Sequence, residues 1–372
     1  MMKDFQENFE CFFEVATCGD IISIYRGRPI WANYHPDKLV LPAEILFNNV
    51  PSARGAVLHY IAKLVHETVH LYFSEKERKE GTGKGVDYTN LETSVKLLIS
   101  TLNSFKGEIK TKTTSSFPLL LLQWLFELCA DLSHQNHNRP YFNLQRPLPS
   151  VLLKAFQQMP CIVDLLSLME NIFTEMLNST PEKTIQTFIS AQKAFINNFD
   201  WITLFIAESF PPNFAKNLLK NGAEEFHSFC GELSRSNVQL AAQVHEEYSG
   251  RLRIYSDIFK CLERNKKVEF RRFVLDVLNE FLLTSENLHE FVFLVKLALV
   301  SPEIIIPYAD EIVQIGSFGL STFPILTLLS QTPSFGLAMS NNLQLQNMIT
   351  RILERANTNS LFKIIEFIGS FL

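Results

Sequence analysis

The stretch Pro51-Ser-Ala-Arg-Gly-Ala-Val-Leu-His-Tyr-Ile-Ala-Lys-Leu-Val-His-Glu-Thr-Val-His-Leu-Tyr-Phe73 decides the fold class. At ~100° per residue, Val57, Tyr60, Ile61, Leu64, Thr68, Leu71 and Tyr72 gather on one side of a helix. His59, Lys63, His66 and His70 fall in a wedge roughly opposite, where they would face solvent or a groove. The helix follows a proline, and that arrangement repeats along the chain. An apolar segment stops, a proline follows and another apolar segment begins at Phe47-Asn-Asn-Val-Pro51, Gln158-Met-Pro160, Ser209-Phe-Pro-Pro212, Val300-Ser-Pro302 and Thr322-Phe-Pro324. Proline at the first helical position sacrifices no hydrogen bond and presets φ, so it restarts a helix after a tight corner.

Helical hairpins in series predict an all-α fold, an α-solenoid of degenerate HEAT/armadillo-like hairpins. No strict sequence period survives to give a repeat consensus. The expected division is an N-terminal helix and irregular segment over 1–40, then the helical-repeat solenoid over 41–372. Ile21 to Val40 reads as irregular or strand-like; Glu75 to Asp87 and Gln135 to Pro149 read as loops.

Composition agrees. Of 372 residues, 47 % are hydrophobic and 20 % charged, which supplies a packed interior and argues against disorder. Only 14 glycines argue against a turn-rich sheet fold, while 32 phenylalanines suit helix-on-helix grooves. A net charge of −5 gives no general electrostatic reason to bind nucleic acid. Cys11, Cys18, Cys129, Cys161, Cys230 and Cys261 form no CxxC pair and read as reduced thiols. Met1 to Glu14 carries acids and aromatics rather than the basic start and apolar run of a leader. The most lipid-like stretch, Phe117 to Ala130, is shorter than the ~20 residues of a span and is broken by Gln123 and Glu127. It predicts a buried helix, and no membrane contact is expected.

His66-Glu67-Thr68-Val69-His70 matches HExxH, in which two histidines one turn apart hold zinc and the glutamate activates the bound water. Lys63, one turn before, would repel a dication; no HxxGxxH extension follows; and nothing in the Leu-Glu-Thr-Ser setting of Glu92 marks it as a distant third ligand. His66 and His70 are therefore expected to be solvent-face histidines, and His66, Glu67 and His70 not to form a metal site. His134-Gln-Asn-His137 has metal-like spacing in what reads as a polar loop, and Gly81-Thr-Gly-Lys-Gly85 lacks the GxxxxGKS/T order of a phosphate loop. No cofactor is implied. Arg264, Lys266, Lys267, Arg271 and Arg272 crowd a corner between two helices. Cations at a helix start oppose the macrodipole, so the cluster is a candidate interaction patch for an acidic protein surface or RNA phosphate. Trp124 and Trp201 are candidate aromatic anchors, although each lies in an apolar helix.

Phe199-Asp-Trp through Ser209-Phe-Pro to Gly222 and Phe226 resembles the FDW…SFP…G…F stretch of the Integrator complex subunit 5 family. Val50 to Tyr60 is similar to that family's PxARxAVL helix start, and Leu297-Ala-Leu-Val-Ser-Pro302 follows in the same order. The landmarks run from about residue 40 to about residue 315. The family's proteins are longer, and the chain is expected to correspond to their N-terminal region. The resemblance implies a nuclear, non-catalytic scaffold of the Integrator complex, which acts with RNA polymerase II in small nuclear RNA 3′-end processing and transcription attenuation. It further implies a place in the phosphatase-recruiting module with subunits 2, 6 and 8 and protein phosphatase 2A. Two other classes stand beside it: a zinc-dependent peptidase built on His66, Glu67 and His70, and an unrelated solenoid adaptor or transport receptor.

Overall fold

Proline marks the corners of the fold in the computed structural model of the chain. The structure describes residues 12–13, 24–25, 28–29, 35–78, 87–104, 117–142, 147–195, 198–209, 212–235, 238–265, 267–284, 290, 293–294, 296–297, 300–301 and 304. Two short strands, β1 (Ile24–Tyr25) and β2 (Arg28–Pro29), pair antiparallel. Beyond them the regular structure is helical: α1 (Pro36–Asn49), α2 (Arg54–Lys76), α3 (Thr89–Ser104), α4 (Phe117–Asn136), α5 (Pro149–Phe156), α6 (Pro160–Ser179), α7 (Pro181–Ala194), α8 (Asp200–Ser209), α9 (Pro212–Arg235), α10 (Val238–Asn265) and α11 (Lys267–Thr284). Pro36, Pro149, Pro160, Pro181 and Pro212 each open a helix, and Pro51 opens a short 3-10 turn before α2. Pro302 and Pro324 lie outside the described residues.

The described chain is all-α apart from that hairpin, and it divides into two units, Met1–Ile202 and Thr203–Leu372. In the first unit α1 packs on α3 and α3 on α6, forming one layer, while α2 packs on α4 and α4 on α7, forming the other. Contacts of α1 with α2, α2 with α3, α4 with α6 and α6 with α7 join the layers. This alternation is solenoid packing: each hairpin buries its apolar faces against the hairpins before and after it.

Specific groups lock the hairpins. Tyr60 donates its hydroxyl to the Leu39 carbonyl at 2.8 Å, tying α2 to α1, and Thr101 donates to Glu44 at 2.5 Å, tying α3 to α1. Arg54 donates through Nε to the Phe47 carbonyl at 3.2 Å and lays its guanidinium 4.7 Å from the Phe117 ring centroid. Phe126 meets Phe173, Phe188 and Phe199 at 5.2–6.3 Å between centroids. Phe156 lies 4.8 Å from Trp201. Burying each such ring contributes about 2 kcal/mol, so phenylalanine supplies much of the cohesion between layers.

In the second unit α9, α10 and α11 pack mutually. Phe229 stacks on Tyr248 at 4.1 Å, Asn221 donates to the Tyr255 hydroxyl at 2.5 Å, and Ser256 hydrogen-bonds Ser301. Gly222 lies against the Phe293 ring so closely that a Cβ there would overlap it.

Several expected boundaries move. Helix α1 begins at Pro36, so the boundary expected at residue 40 falls inside it; His35 caps the start by accepting from the Asp37 N–H at 3.4 Å. Helix α2 continues to Lys76 and α4 to Asn136, further than the loop-like composition of both tails suggests. Among the described residues no single helix is long and apolar enough to cross a membrane; α5 and α6 pass that test only together, bent by 110° at their break. Phe117 to Ala130 forms the buried helix expected of it.

Candidate functional site

The HExxH pentapeptide lies in the second half of α2, the first helix of its layer. The helix touches α1, α3 and α4, so burial extends beyond a single stripe. Val57, Tyr60, Ile61, Leu64 and Thr68 are buried as the periodicity predicts, and so are Leu58, Val65, Val69 and Phe73; Leu71 and Tyr72 are only half-buried. Glu67, the residue that would activate water in a protease, is 5 % exposed.

One histidine departs from the expected solvent wedge. His59 and His70 are exposed, but His66 is largely enclosed, with its Nδ1 buried and without a hydrogen-bond partner. Burial lowers its pKa to about 4, against a smaller opposing effect from its hydrogen bond with Gln135 of α4. The ring is neutral at physiological pH. A wheel drawn for one helix misplaces it because α4 approaches from the side that the wheel leaves open.

His70 is engaged differently. Its Nδ1 accepts from an Nη2–H of Arg139, in the turn after α4. The same guanidinium donates to Asn136 Oδ1 at 2.7 Å, Ser74 Oγ at 3.4 Å and Glu77 Oε2 at 3.3 Å, and lies 5.7 Å from the Phe73 ring centroid. Glu77 in turn accepts from the Tyr141 N–H at 3.3 Å. The His70 pKa is lowered, first by burial and then by the Arg139 charge, against the pull of Glu77. Arg139 thus clamps the 136–142 turn onto α2.

This arrangement does not fit zinc. A ligating histidine donates its second ring N–H to an acceptor and offers the other nitrogen's lone pair. Here Nδ1 is the acceptor, which places the proton on Nε2, and a permanent cation sits beside the ring. Among the described residues no group of three or more His, Cys, Asp or Glu is placed to hold a metal. Glu92 of α3 lies 3.9 Å from Lys96 instead.

His134 belongs to the last turn of α4, while His137 lies in the turn that follows it. The His137 ring Nδ1 lies 2.7 Å from the His134 carbonyl and 3.2 Å from that of Ser133, so it satisfies carbonyls left open at the helix terminus. Gly81 to Gly85 lies outside the described residues. Trp201 is fully buried and unavailable as a surface anchor; Trp124 is half-buried.

At the α10–α11 corner, Arg264, Lys267, Arg271 and Arg272 are all exposed, and Lys266 lies outside the described residues. Arg272 has a weak contact with Asp276 at 4.0 Å. Sequence reasoning missed two participants in these clusters. Arg139 gives no local signal, because its partners on and just after α2 lie 62–69 residues away. Val268, an ordinary apolar residue in the sequence, is 78 % exposed in the middle of the basic corner.

The residues that carry the family landmarks are structural anchors. Phe199 packs on Phe126, Asp200 accepts from Gln192 at 3.1 Å, Trp201 packs on Phe156, and Gly222 admits the Phe293 ring. Residues 25–228 match a family model described as Integrator complex subunit 5 N-terminus. No curated protein matches the chain. The matched span contains α1 to α8, the Arg139 clamp and part of α9; the basic corner lies beyond it.

Proposed function

This chain belongs to the Integrator complex subunit 5 family, and we propose that within the complex it acts as a non-catalytic scaffold. Membership supports an Integrator subunit that associates with other subunits of the complex. The observation that carries the scaffold reading is the engagement of the only protease-like motif: Glu67 is buried and His70 accepts from Arg139, so both serve packing. A stack of helical hairpins presents long surfaces of fixed shape, which bind large partners through many moderate contacts.

The reading extends to a nuclear location, HEAT-like repeats and a place in the module that recruits protein phosphatase 2A, alongside subunits 2, 6 and 8. Its contribution to small nuclear RNA 3′-end processing and to transcription attenuation with RNA polymerase II is then architectural. The exposed cations at the α10–α11 corner are part of the proposed contact surface. The test is affinity recovery from nuclear extract with the tagged chain. Recovery of subunits 2, 6 and 8 together with the phosphatase supports the reading; recovery of transport factors alone, or of none of these, rejects it.

A further inference from the structure

The outward face of α11 has a composition that helix stability does not explain. Val268 is 78 % exposed, more than any other large hydrophobic residue among those described. Arg271 and Arg272 follow at i+3 and i+4 and Leu275 at i+7, so the four share one side of the helix. Both arginines are exposed and Leu275 is half-buried, whereas Phe270, Phe273, Val274 and Val277 turn inward. Lys267 is exposed beside Val268, and Arg264 is exposed in the last turn of α10. An apolar seam flanked by cations therefore faces outward. The Arg272–Asp276 contact at 4.0 Å, between two exposed side chains, contributes ~0–1 kcal/mol and yields to a stronger partner.

Two kinds of macromolecule answer a basic surface. Nucleic acid requires a row of cations spaced along successive phosphates and, for single strands, exposed rings on which bases stack. Here the nearby rings are buried: Phe259, Phe270 and Phe273 pack on one another at 5.8–6.2 Å. Glu263 and the exposed Glu269 also place carboxylates among the cations. The surface residue at the centre is aliphatic. An acidic protein helix matches both features, because its apolar seam covers Val268 and Leu275 while its carboxylates meet the flanking guanidinium and ammonium groups. We infer that the outward face of α11, with Val268 and Leu275 flanked by Arg271 and Arg272, docks an acidic amphipathic helix of another protein. The inference rests on the scaffold reading and supplies the chemistry of one partner.

The experiment replaces Val268 by benzoylphenylalanine in the tagged full chain, irradiates cells expressing it and sequences the adducts by mass spectrometry. The expected adduct is a segment of another protein with carboxylates flanking an apolar i, i+3/i+4 seam. A synthetic peptide of that sequence should bind the purified chain, and Arg271→Glu with Arg272→Glu should weaken it about tenfold or more. Arg271→Gln with Arg272→Gln, which keeps helix propensity without charge reversal, should weaken it less but in the same direction. Adducts with RNA, with a second copy of this chain, with its own residues, with a neutral or basic segment, or no adduct at all, would overturn the inference. The same cells report the scaffold reading separately: Integrator subunits recovered without an acidic adduct reject this face alone, and absence of the subunits rejects the scaffold reading.

Discussion

The Arg139 guanidinium donates to Nδ1 of His70, joining the turn after α4 to the second histidine of HExxH. Three further acceptors, on Asn136, Ser74 and Glu77, complete the clamp, so one side chain holds a connector against the helix that carries the motif. The stability of the first unit therefore depends on a residue that no pattern in the sequence singles out.

Arg139→Ala should lower the thermal midpoint of the first unit by about 5 °C, because it leaves the part-buried Glu77 short of a donor, releases the exposed His70 ring and costs about 2 kcal/mol. Arg139→Lys should recover little of the loss, since an ammonium cannot reproduce the fork. A midpoint unchanged within a degree for both variants would show that the clamp contributes nothing.

His66 predicts an acid sensitivity of definite sign. Its folded pKa of about 4 lies below the ordinary histidine value of 6.5, so the unfolded chain binds the proton more readily. Stability is then full above pH 6.5 and falls as the pH drops from 6.5 towards 4, by a few kcal/mol in total. Melting curves of the wild-type chain and of His66→Asn between pH 7 and 4.5 check this. The variant should show the shallower decline, and parallel curves would contradict the assignment.

Elemental analysis of purified protein should find zinc far below one atom per chain, and added zinc should leave the melting curve in place. The reason is the acceptor role of His70 Nδ1 and the adjacent cation. One zinc per chain that disappears in His66→Ala or His70→Ala would reopen the peptidase reading.

Gly222→Ala should destabilise the second unit. Alanine improves helix propensity by about 1 kcal/mol, but its Cβ would overlap the Phe293 ring, and overpacking costs about 1–3 kcal/mol. Hydrogen exchange over α9 should accelerate in Gly222→Ala and return towards the wild-type rate when Phe293→Leu is added. Unchanged exchange in the single variant would mean that the ring moves aside freely.

The helices and their corners were largely legible. Pro160 and Pro212 open helices where the sequence places them, and Tyr60, Ile61 and Leu64 face inward as their spacing requires. These outcomes follow from chemistry within a few residues of each position. Legibility declined at tails such as Glu75–Lys76 and Gln135–Asn136, where polar composition resembles a loop but the helix runs on. The matching of the Phe199 to Phe226 landmarks to one family was legible too, because these residues are anchors whose spacing is tied to helix length.

The sequence by itself determined that the chain is helical, where its hairpins turn and which family it belongs to, since periodicity, proline geometry and motif order are local properties. Only the tertiary structure decided how the HExxH residues are engaged. A helical wheel records direction but not neighbours, and the approach of α4 and Arg139 turned His66 into an enclosed neutral ring and His70 into an acceptor. The same holds for Val268, whose exposure depends on which side of α11 the core of its unit occupies. Burial is a relation between elements distant in sequence, so it is settled only when they pack.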